Sequence, residues 1–518
     1  MKPRTPPGTG TASTAGPNLP AATAMTEGPP WAALQRGIGG TVVLPDDPRY
    51  DNVRTLTWRQ FDTVRPQAVV RCVSAEDVAE AVRFARRYAI PAVARSGGHS
   101  FGGYSTTTGM VIDVSPMDEV RMAGPLARVQ AGAQLIDVEE ALSPLGIAVP
   151  TGWCPTVGIG GLTLGGGWGF FTRMYGVTSD RMRRARVVLA DGRIVDSDEQ
   201  SHPDLFWGLR GGGGGNLGIV TEYDFEPVPT RDMTSFTLTW AWASARAVIA
   251  AWQRWTAEAP DPLTPLLNLS QDGPDLTSEP TVTVSGVWLG TPAEAGPLLD
   301  RLTALVGKDP TSSDRRTDSY RDGMRYWFNF RRSNLKPAQL HRVGHSPEAR
   351  LPRYGFALFR GNFFDKPFDA AGIGEALAAF ASHRNPGELR DLGFQALGGA
   401  HNRVSPSATA YVHRDALFYA GWTVGIDVPD GEVLAPDRQR TAGEWIGQSW
   451  SRVRRWSSGH TYQNYIDPAL TDWRRAYYGA NYERLTAVKH AYDPEGFFSF
   501  PQAIGDRFPP GPLSRDSP

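Results

Sequence analysis

Two stretches of this 518-residue chain combine chemically capable side chains with more glycine than any regular element needs. The first, Arg95 to Gly103 (RSGGHSFGG), sets His99 among Gly97, Gly98, Gly102 and Gly103. Such a loop turns sharply and offers backbone N–H donors to an anion such as a diphosphate. The second, Gly152 to Gly169 (GWCPTVGIGGLTLGGGWG), holds eight glycines and Cys154. Glycine costs about 0.5–1 kcal/mol at an interior helix or strand position relative to alanine, so this density predicts that something approaches the backbone closely. Neither stretch offers GxGxxG at a single strand-to-helix turn, and no Lys-Ser or Lys-Thr follows the glycines as a phosphate loop requires. Neither His99 nor Cys154 has a second His or Cys two to five residues away, so no metal site is predicted. A Cys–His nucleophilic pair stays open on residue types, although nothing local identifies its base.

The elements that must position these loops are legible as strands and helices. Residues 68 to 73 (AVVRCV) read as a strand, after which Ser74 offers an N-cap and Glu76 and Asp77 a negatively charged first turn. Val78, Ala81, Val82 and Ala85 repeat at helical spacing, and Arg86 and Arg87 suit the last turn. Ala92 to Ala94 then forms a second strand that delivers the RSGGHS loop. The same grammar recurs in strands at Met110 to Val114 and Ala127 to Ala131, a helix near Leu135 to Leu142, and a strand at Ile147 to Val149, which leads to Cys154. Asp191-Gly192 predicts a hairpin over 185–197, and Ile219 to Phe225 a further strand. Beyond about residue 230 the texture changes to longer helices, such as Ala243 to Trp255 and Ile373 to His383, between β-rich runs at Thr281 to Trp288 and Ala416 to Val424. Trp473 to Lys489 reads as one helix. The expected class is α+β, with a disordered tail over 1–40, a first domain over 41–229, a second over 230–455, and a closing segment over 456–510.

Composition removes several function classes. Lys plus Arg (53) and Asp plus Glu (54) nearly cancel, with no basic block, which argues against nucleic acid as a partner. No run of about 18 apolar residues suggests a membrane span. The N-terminal stretch lacks a signal-like apolar region, so a cytoplasmic location is expected with secretion left open, and either Met1 or Met25 could be the natural start. Two cysteines, Cys72 and Cys154, exclude a disulfide framework. Sixteen Trp and sixteen Tyr offer rings for core or for stacking on a ligand. A monomer or weak homo-oligomer is expected.

Taken in order, RSGGHS, GWCPTVGIGGLTLGGGWG, RGGGGGNLGIVTEYDF from Arg210, and YQNYID from Tyr462 resemble the FAD-linked oxidases of the vanillyl-alcohol-oxidase superfamily, berberine-bridge branch. The match begins at Arg65-Pro66 and ends with DPEGFFSFPQAI (Asp493 to Ile504). The resemblance implies a PCMH-type FAD-binding domain of two α/β lobes, a substrate domain whose antiparallel sheet is covered by helices, and a C-terminal segment returning to the first domain. It also implies FAD tethered twice, through His99 to the 8α-methyl and through Cys154 to ring carbon 6. By the same resemblance Arg95, Ser96, Gly97, Gly98, Ser100, Phe101, Gly102 and Gly103 surround the diphosphate. Gly152, Val157, Gly158, Gly160, Gly161, Gly165, Gly166, Gly218, Ile219 and Val220 line the rest. Asp180, in the matching segment YGVTSD, is either a ligand contact or part of a plain turn.

The activity implied is oxidation of an alcohol on a sugar, a glycosylated metabolite or a polyketide-type substrate, with hydride passing to flavin N5 and O2 giving H2O2. Tyr465 is the first candidate base and Tyr462 the second, with Asn464 as a positioning or cofactor contact; a phenol pKa of about 10 would have to fall for this to work near neutrality. Some relatives carry a base in the strand after a His-Arg pair, here His413-Arg414, where this chain offers Gly421. Val157, three residues past the cysteine, is small enough to suit an oxidase. Two alternatives remain at this level: a dehydrogenase using another acceptor, and a flavin-binding protein without catalysis.

Overall fold

Ser74 caps the helix Ala75–Arg87 as its position predicts, its hydroxyl accepting from Asp77 N at 3.1 Å. The Asp77 carboxylate in turn accepts from the N–H groups of Gly39 and Gly40, each at 2.9 Å, and so ties the helix to the first strand, Thr41–Val43. This is a computed structural model, and it describes residues 28–271, 278–331, 334–429 and 431–505. Within the stretch 1–40 expected as a tail, the described residues include a helix. Trp31–Gly37 is helical, buries Leu34, and sets Trp31 against Phe84 at 5.2 Å. Pro and Gly residues upstream masked that amphipathic turn in the sequence. Met25 lies outside the described residues.

The first lobe is a four-stranded sheet in the order Thr41–Val43, Ala68–Arg71, Met110–Asp113, Ala92–Arg95, whose last three strands run parallel. The second is a five-stranded antiparallel sheet ordered Val120–Ala123, Leu126–Gln130, Ile219–Phe225, Met182–Val188, Ile194–Ser197, including the predicted Asp-Gly hairpin. Between the lobes run the loops carrying His99 and Cys154.

A seven-stranded antiparallel sheet follows, ordered Ser312–Asp318, Met233–Ala241, Thr281–Leu289, Leu263–Gln271, Glu388–Ala396, Phe418–Ile426, Phe356–Phe364. Its strands alternate with period two. Phe418, Ala420, Trp422 and Val424 face a core shared with the helices Ala245–Ala257, Pro292–Val306, Ala370–Phe380 and Pro436–Val453, while Tyr419 turns to the other face among Trp168, Phe363 and Tyr462. The architecture is therefore mixed α and β, with helices over one face of an antiparallel sheet and the other face free to wall a site.

Two elements depart from the sequence reading. The helix Tyr320–Phe328 lies within the second sequence region but buries Met324, Trp327 and Phe328 in the core of the first, and Glu140 pairs there with Arg321 and Arg325, both at 2.6 Å. The single helix expected over Trp473 to Lys489 is two, Trp473–Tyr478 and Tyr482–Tyr492, separated at Gly479, whose φ of +49° ends the first. Among the described residues no helix is long and apolar enough to cross a membrane.

Candidate active site

The two glycine-rich segments meet face to face. A Cβ on Gly97 would collide with the Gly158 backbone nitrogen, and one on Gly158 with Gly97 and Ser96, so the backbones of the two lobes touch where neither tolerates a side chain. Part of the glycine density thus serves the protein's own packing. A different pair, Gly161 and Gly214, has essentially open space where a Cβ would stand, and both line an elongated cavity between the lobes and the seven-stranded sheet. That is the signature of a cradle shaped for a ligand that presses on bare backbone.

Most of the predicted residues line this cavity: Arg95, Ser96, Gly97, Gly98, His99, Ser100, Phe101, Gly152, Cys154, Val157, Gly158, Gly160, Gly161, Gly218, Ile219, Val220, Tyr462, Asn464 and Tyr465. Five do not. Gly102 packs against Ile466 and Tyr104, and Gly103, at φ +71°, against the Phe61 ring. Gly165 makes room for the Asn464 side chain, and Gly166 for Tyr411. Asp180 forms an ion pair with the fully buried Arg414 at 2.7 Å and accepts from Val177 N at 2.9 Å, so it fastens the turn and touches no ligand space. Arg95, although it lines the cavity, spends its guanidinium on Asp113 (2.9 Å) and on the carbonyls of Val53 and Arg54.

His99 follows the strand Ala92–Arg95 and holds its Nε2 to Thr156 Oγ1 at 2.8 Å, which leaves Nδ1 uncommitted. Burial, with the Arg342 guanidinium nearby, holds its pKa down to about 3, so the imidazole is neutral and keeps a lone pair. Cys154 is a free thiol whose pKa burial pushes up to about 11. Tyr465 stands close enough to Cys154 for a thiolate there to raise the phenol further, beyond the upward shift from burial, and the same holds for Tyr354.

Tyr462 and Tyr465 sit on one turn, closed by Tyr465 N donating to Tyr462 O at 2.9 Å. Their environments differ. Tyr462 stacks on Trp168 at 3.8 Å and 10°, and its hydroxyl accepts from Gly167 N and Asn464 Nδ2, both at 2.9 Å. Asn464 Nδ2 also donates to Leu162 O at 3.0 Å, pinning the turn to the helix Ile159–Leu164. Tyr465 instead stands in a box of rings, Phe101, Trp168, Phe359, Tyr419 and Tyr462. Gly421 has no room for a base, since its Cβ would approach Phe359 Cζ to 2.6 Å. The sequence reading missed Trp58, Tyr354 and Gln395, which also line the cavity. Gln395 is buried on the strand neighbouring Gly421, opposite Tyr419, and its Nε2 has no hydrogen-bond partner among the described residues. No local spacing marks these three, which reach the site from separate segments.

A long cradle of bare backbone with open space at Gly161 and Gly214, ending beside a neutral histidine and a free thiol, fits a dinucleotide with an aromatic headgroup. Comparison with known proteins agrees. The family described as FAD binding domain matches residues 66–198, and the family described as berberine and berberine like matches residues 461–505. An uncharacterised FAD-linked oxidoreductase of Bacillus subtilis, YgaK, is 32% identical over 476 residues, 90% of this chain and 96% of that one. Glucooligosaccharide oxidase of Sarocladium strictum is 28% identical over 451 residues, 84% of this chain and 86% of the other. Among solved structures, the wild-type BBE-like 1 protein of Physcomitrella patens superposes with a TM-score of 0.81 at 26% identity, covering 92% of this chain and 98% of that one. With the cradle, the family matches and near full-length similarity in agreement, the chain belongs to the berberine-bridge-enzyme-like FAD-linked oxidoreductases.

Proposed function

We propose that this protein is an FAD-dependent alcohol oxidase in which His99 Nδ1 and Cys154 Sγ tether the cofactor and Tyr465 is the general base. The observation that carries this reading is the convergence of these three groups on one cavity, part of whose wall is bare backbone at Gly161 and Gly214. With FAD held there by His99 and Cys154, the site would have a hydride acceptor for an alcohol C–H that O2 could reoxidise to give H2O2. The chain's own residues account for the remainder. Thr156 holds the His99 ring by Nε2 and so aims Nδ1, while low basicity keeps that nitrogen unprotonated and nucleophilic. Tyr465 takes the proton of the substrate hydroxyl, and the unpartnered Gln395 amide nitrogen donates to the alcohol oxygen. Tyr462 is the weaker candidate for the base, because its hydroxyl already accepts two hydrogen bonds and its ring is stacked on Trp168. Val157 lines the cavity three residues beyond Cys154, and its modest size is compatible with an oxidase. Similarity to an oligosaccharide oxidase supports oxidation of a CH–OH group as the reaction type.

The test is the mass of the acid-unfolded yellow protein and of its tryptic peptides, read together with peroxide release on adding alcohol in air. One FAD joining the His99 and Cys154 peptides is expected. A bare polypeptide mass overturns the tethers, and flavin bleaching without peroxide overturns the oxidase assignment in favour of a dehydrogenase.

A further inference from the structure

The short run 341–345 (HRVGH) comes from beyond residue 230 and binds the supports of both tether loops. On the His99 side, Arg342 Nη1 donates to Thr55 O at 3.0 Å, and the Gly344 carbonyl accepts from Asn52 Nδ2 at 2.9 Å. Two residues past Thr55, Thr57 N donates to Gly98 O at 3.1 Å, next to His99. On the Cys154 side, His341 Nε2 meets Asp137 Oδ1 at 2.9 Å. His345, whose ring lies parallel to that of His341 at 4.4 Å, reaches Gln134.

Gln134 and Asp137 form the capping box that opens the helix Leu135–Leu142, with Gln134 N donating to Asp137 Oδ2 at 2.9 Å. The N–H groups left over in that first turn hold the cysteine loop. Leu135 N donates to Val157 O at 3.0 Å and Ile136 N to Pro155 O at 3.1 Å, while Val157 N closes the turn on Cys154 O at 3.3 Å. The start of the helix thus fixes where loop 154–158 stands, and Asp137 fixes the start of the helix. His341 Nδ1 faces Ala338 O at 3.3 Å while Nε2 faces Asp137, so an acceptor oxygen stands at each ring nitrogen and the ring takes both protons. Burial works against that charge, but the Asp137 carboxylate outweighs it and holds the His341 pKa above its ordinary value.

We propose that 341–345 is a brace for the second tether, in which His341 is a positioning residue: it acts through Asp137 and the first turn of the helix Leu135–Leu142 to hold Cys154 Sγ where it can bond to the flavin. This inference rests on the tether reading above. The bond joins Sγ to ring carbon 6; the thiol hydrogen and the ring hydrogen leave as two protons, and two electrons pass to the flavin and from it to O2, which takes up two protons as H2O2. Burial disfavours the thiolate that must attack, so placement of the sulfur decides whether the bond forms.

Two readouts on the holoenzyme test the brace. One is the fraction of chains whose Cys154 peptide carries flavin by mass after acid unfolding. The other is amide hydrogen exchange over 150–160, which senses the loop with or without a flavin bond, with the helix Ala245–Ala257 of the other core as internal reference. His341→Leu removes both N–H groups. It is expected to lower the doubly linked fraction severalfold with the His99 link retained, and to speed exchange over 150–160 by about tenfold with the reference helix unchanged. His341→Gln, which keeps one N–H for Asp137, is expected to restore most of both. If His341→Leu fails to fold, Asp137→Asn, which keeps an oxygen for Gln134 N and drops the charge facing His341, supplies the same measurements. Wild-type exchange and linkage in these variants overturn the inference, and so does faster exchange along the whole chain with His341→Gln no better than His341→Leu. If the wild-type Cys154 peptide carries no flavin, the tether reading falls and exchange alone decides: a rise confined to 150–160 keeps His341 as the support of the loop, and no rise removes it.

Discussion

The two tethers and the base make separable predictions at single residues. His99 and Cys154 come from different lobes, so each forms its bond without the other. His99→Ala and Cys154→Ala singly are expected to retain flavin after acid unfolding, and the double variant to release it; a double variant that still carries flavin by mass would show that neither residue is the attachment point. Tyr465 is distinguished by its titration. Burial raises its phenol above the ordinary value of 10, and only the deprotonated form accepts a proton. The rate of flavin reduction by alcohol is therefore expected to climb with pH through the alkaline range, with no plateau near neutrality. Tyr465→Phe should lower that rate by about 10²-fold or more and abolish the climb, while the cofactor stays bound. A wild-type rate that is flat with pH, or a phenylalanine variant with the same slope, would remove Tyr465 from the role.

The closing segment, Asp493 to Ile504, shows how elements place such residues. Lys489, on the last helix, is buried and donates to Asp493 Oδ2 at 2.6 Å, and to the carbonyls of Asn216 and Phe498, both at 2.7 Å. It thereby joins the RGGGGGNLG loop to the aromatic tail whose Phe498 and Phe500 line the cavity. Removing one member of a buried, hydrogen-bonded ion pair typically costs about 3–5 kcal/mol. Lys489→Ala is expected to lose stability of that order in denaturant unfolding and to load less flavin during expression; an unchanged unfolding midpoint would mean that the pair is incidental. Here the sequence was informative in one sense and silent in another. Motifs named the segment, because glycines and aromatics cluster in it, and likewise His99 and Cys154 stood out as reactive types in glycine-dense loops. Trp58, Tyr354 and Gln395 carry no such mark. They lie on a loop before the first parallel strand pair, on a loop before an edge strand, and at the end of a strand in the large sheet, and only tertiary folding gathers them. Of the two readings open for Asp180, the turn stands and the ligand contact does not; local spacing could not choose between them, because its partner, Arg414, is distant in sequence.

At the scale of the whole molecule, the helix Leu135–Leu142 of the second lobe and the helix Tyr320–Phe328 from beyond residue 230 pack together around a buried acid. Glu139 is buried, faces the Tyr320 hydroxyl, and lies beside Glu140 and Arg321. Desolvation raises its pKa from 4.5 to about 8. A carboxyl whose folded pKa exceeds its unfolded one contributes fully below the unfolded value, and that contribution is lost as pH rises through the folded value. Stability from this contact should therefore be greatest in mild acid and decline toward about pH 8, by no more than about 1.4 kcal/mol per pH unit for the single proton involved. Glu139→Gln keeps an acceptor for the Tyr320 hydroxyl and cannot ionise. Its thermal midpoint, followed from about pH 5 to about pH 9, is expected to fall less steeply than that of the wild type, the two curves diverging most at the alkaline end. Because Tyr465 needs alkaline pH to accept a proton while Glu139 weakens the joint between the two regions there, the usable pH range has an upper edge set by packing and a lower edge set by chemistry. Glu139→Gln should move the upper edge outward and leave the lower edge in place; movement of both edges together would mean that one ionisation governs the two.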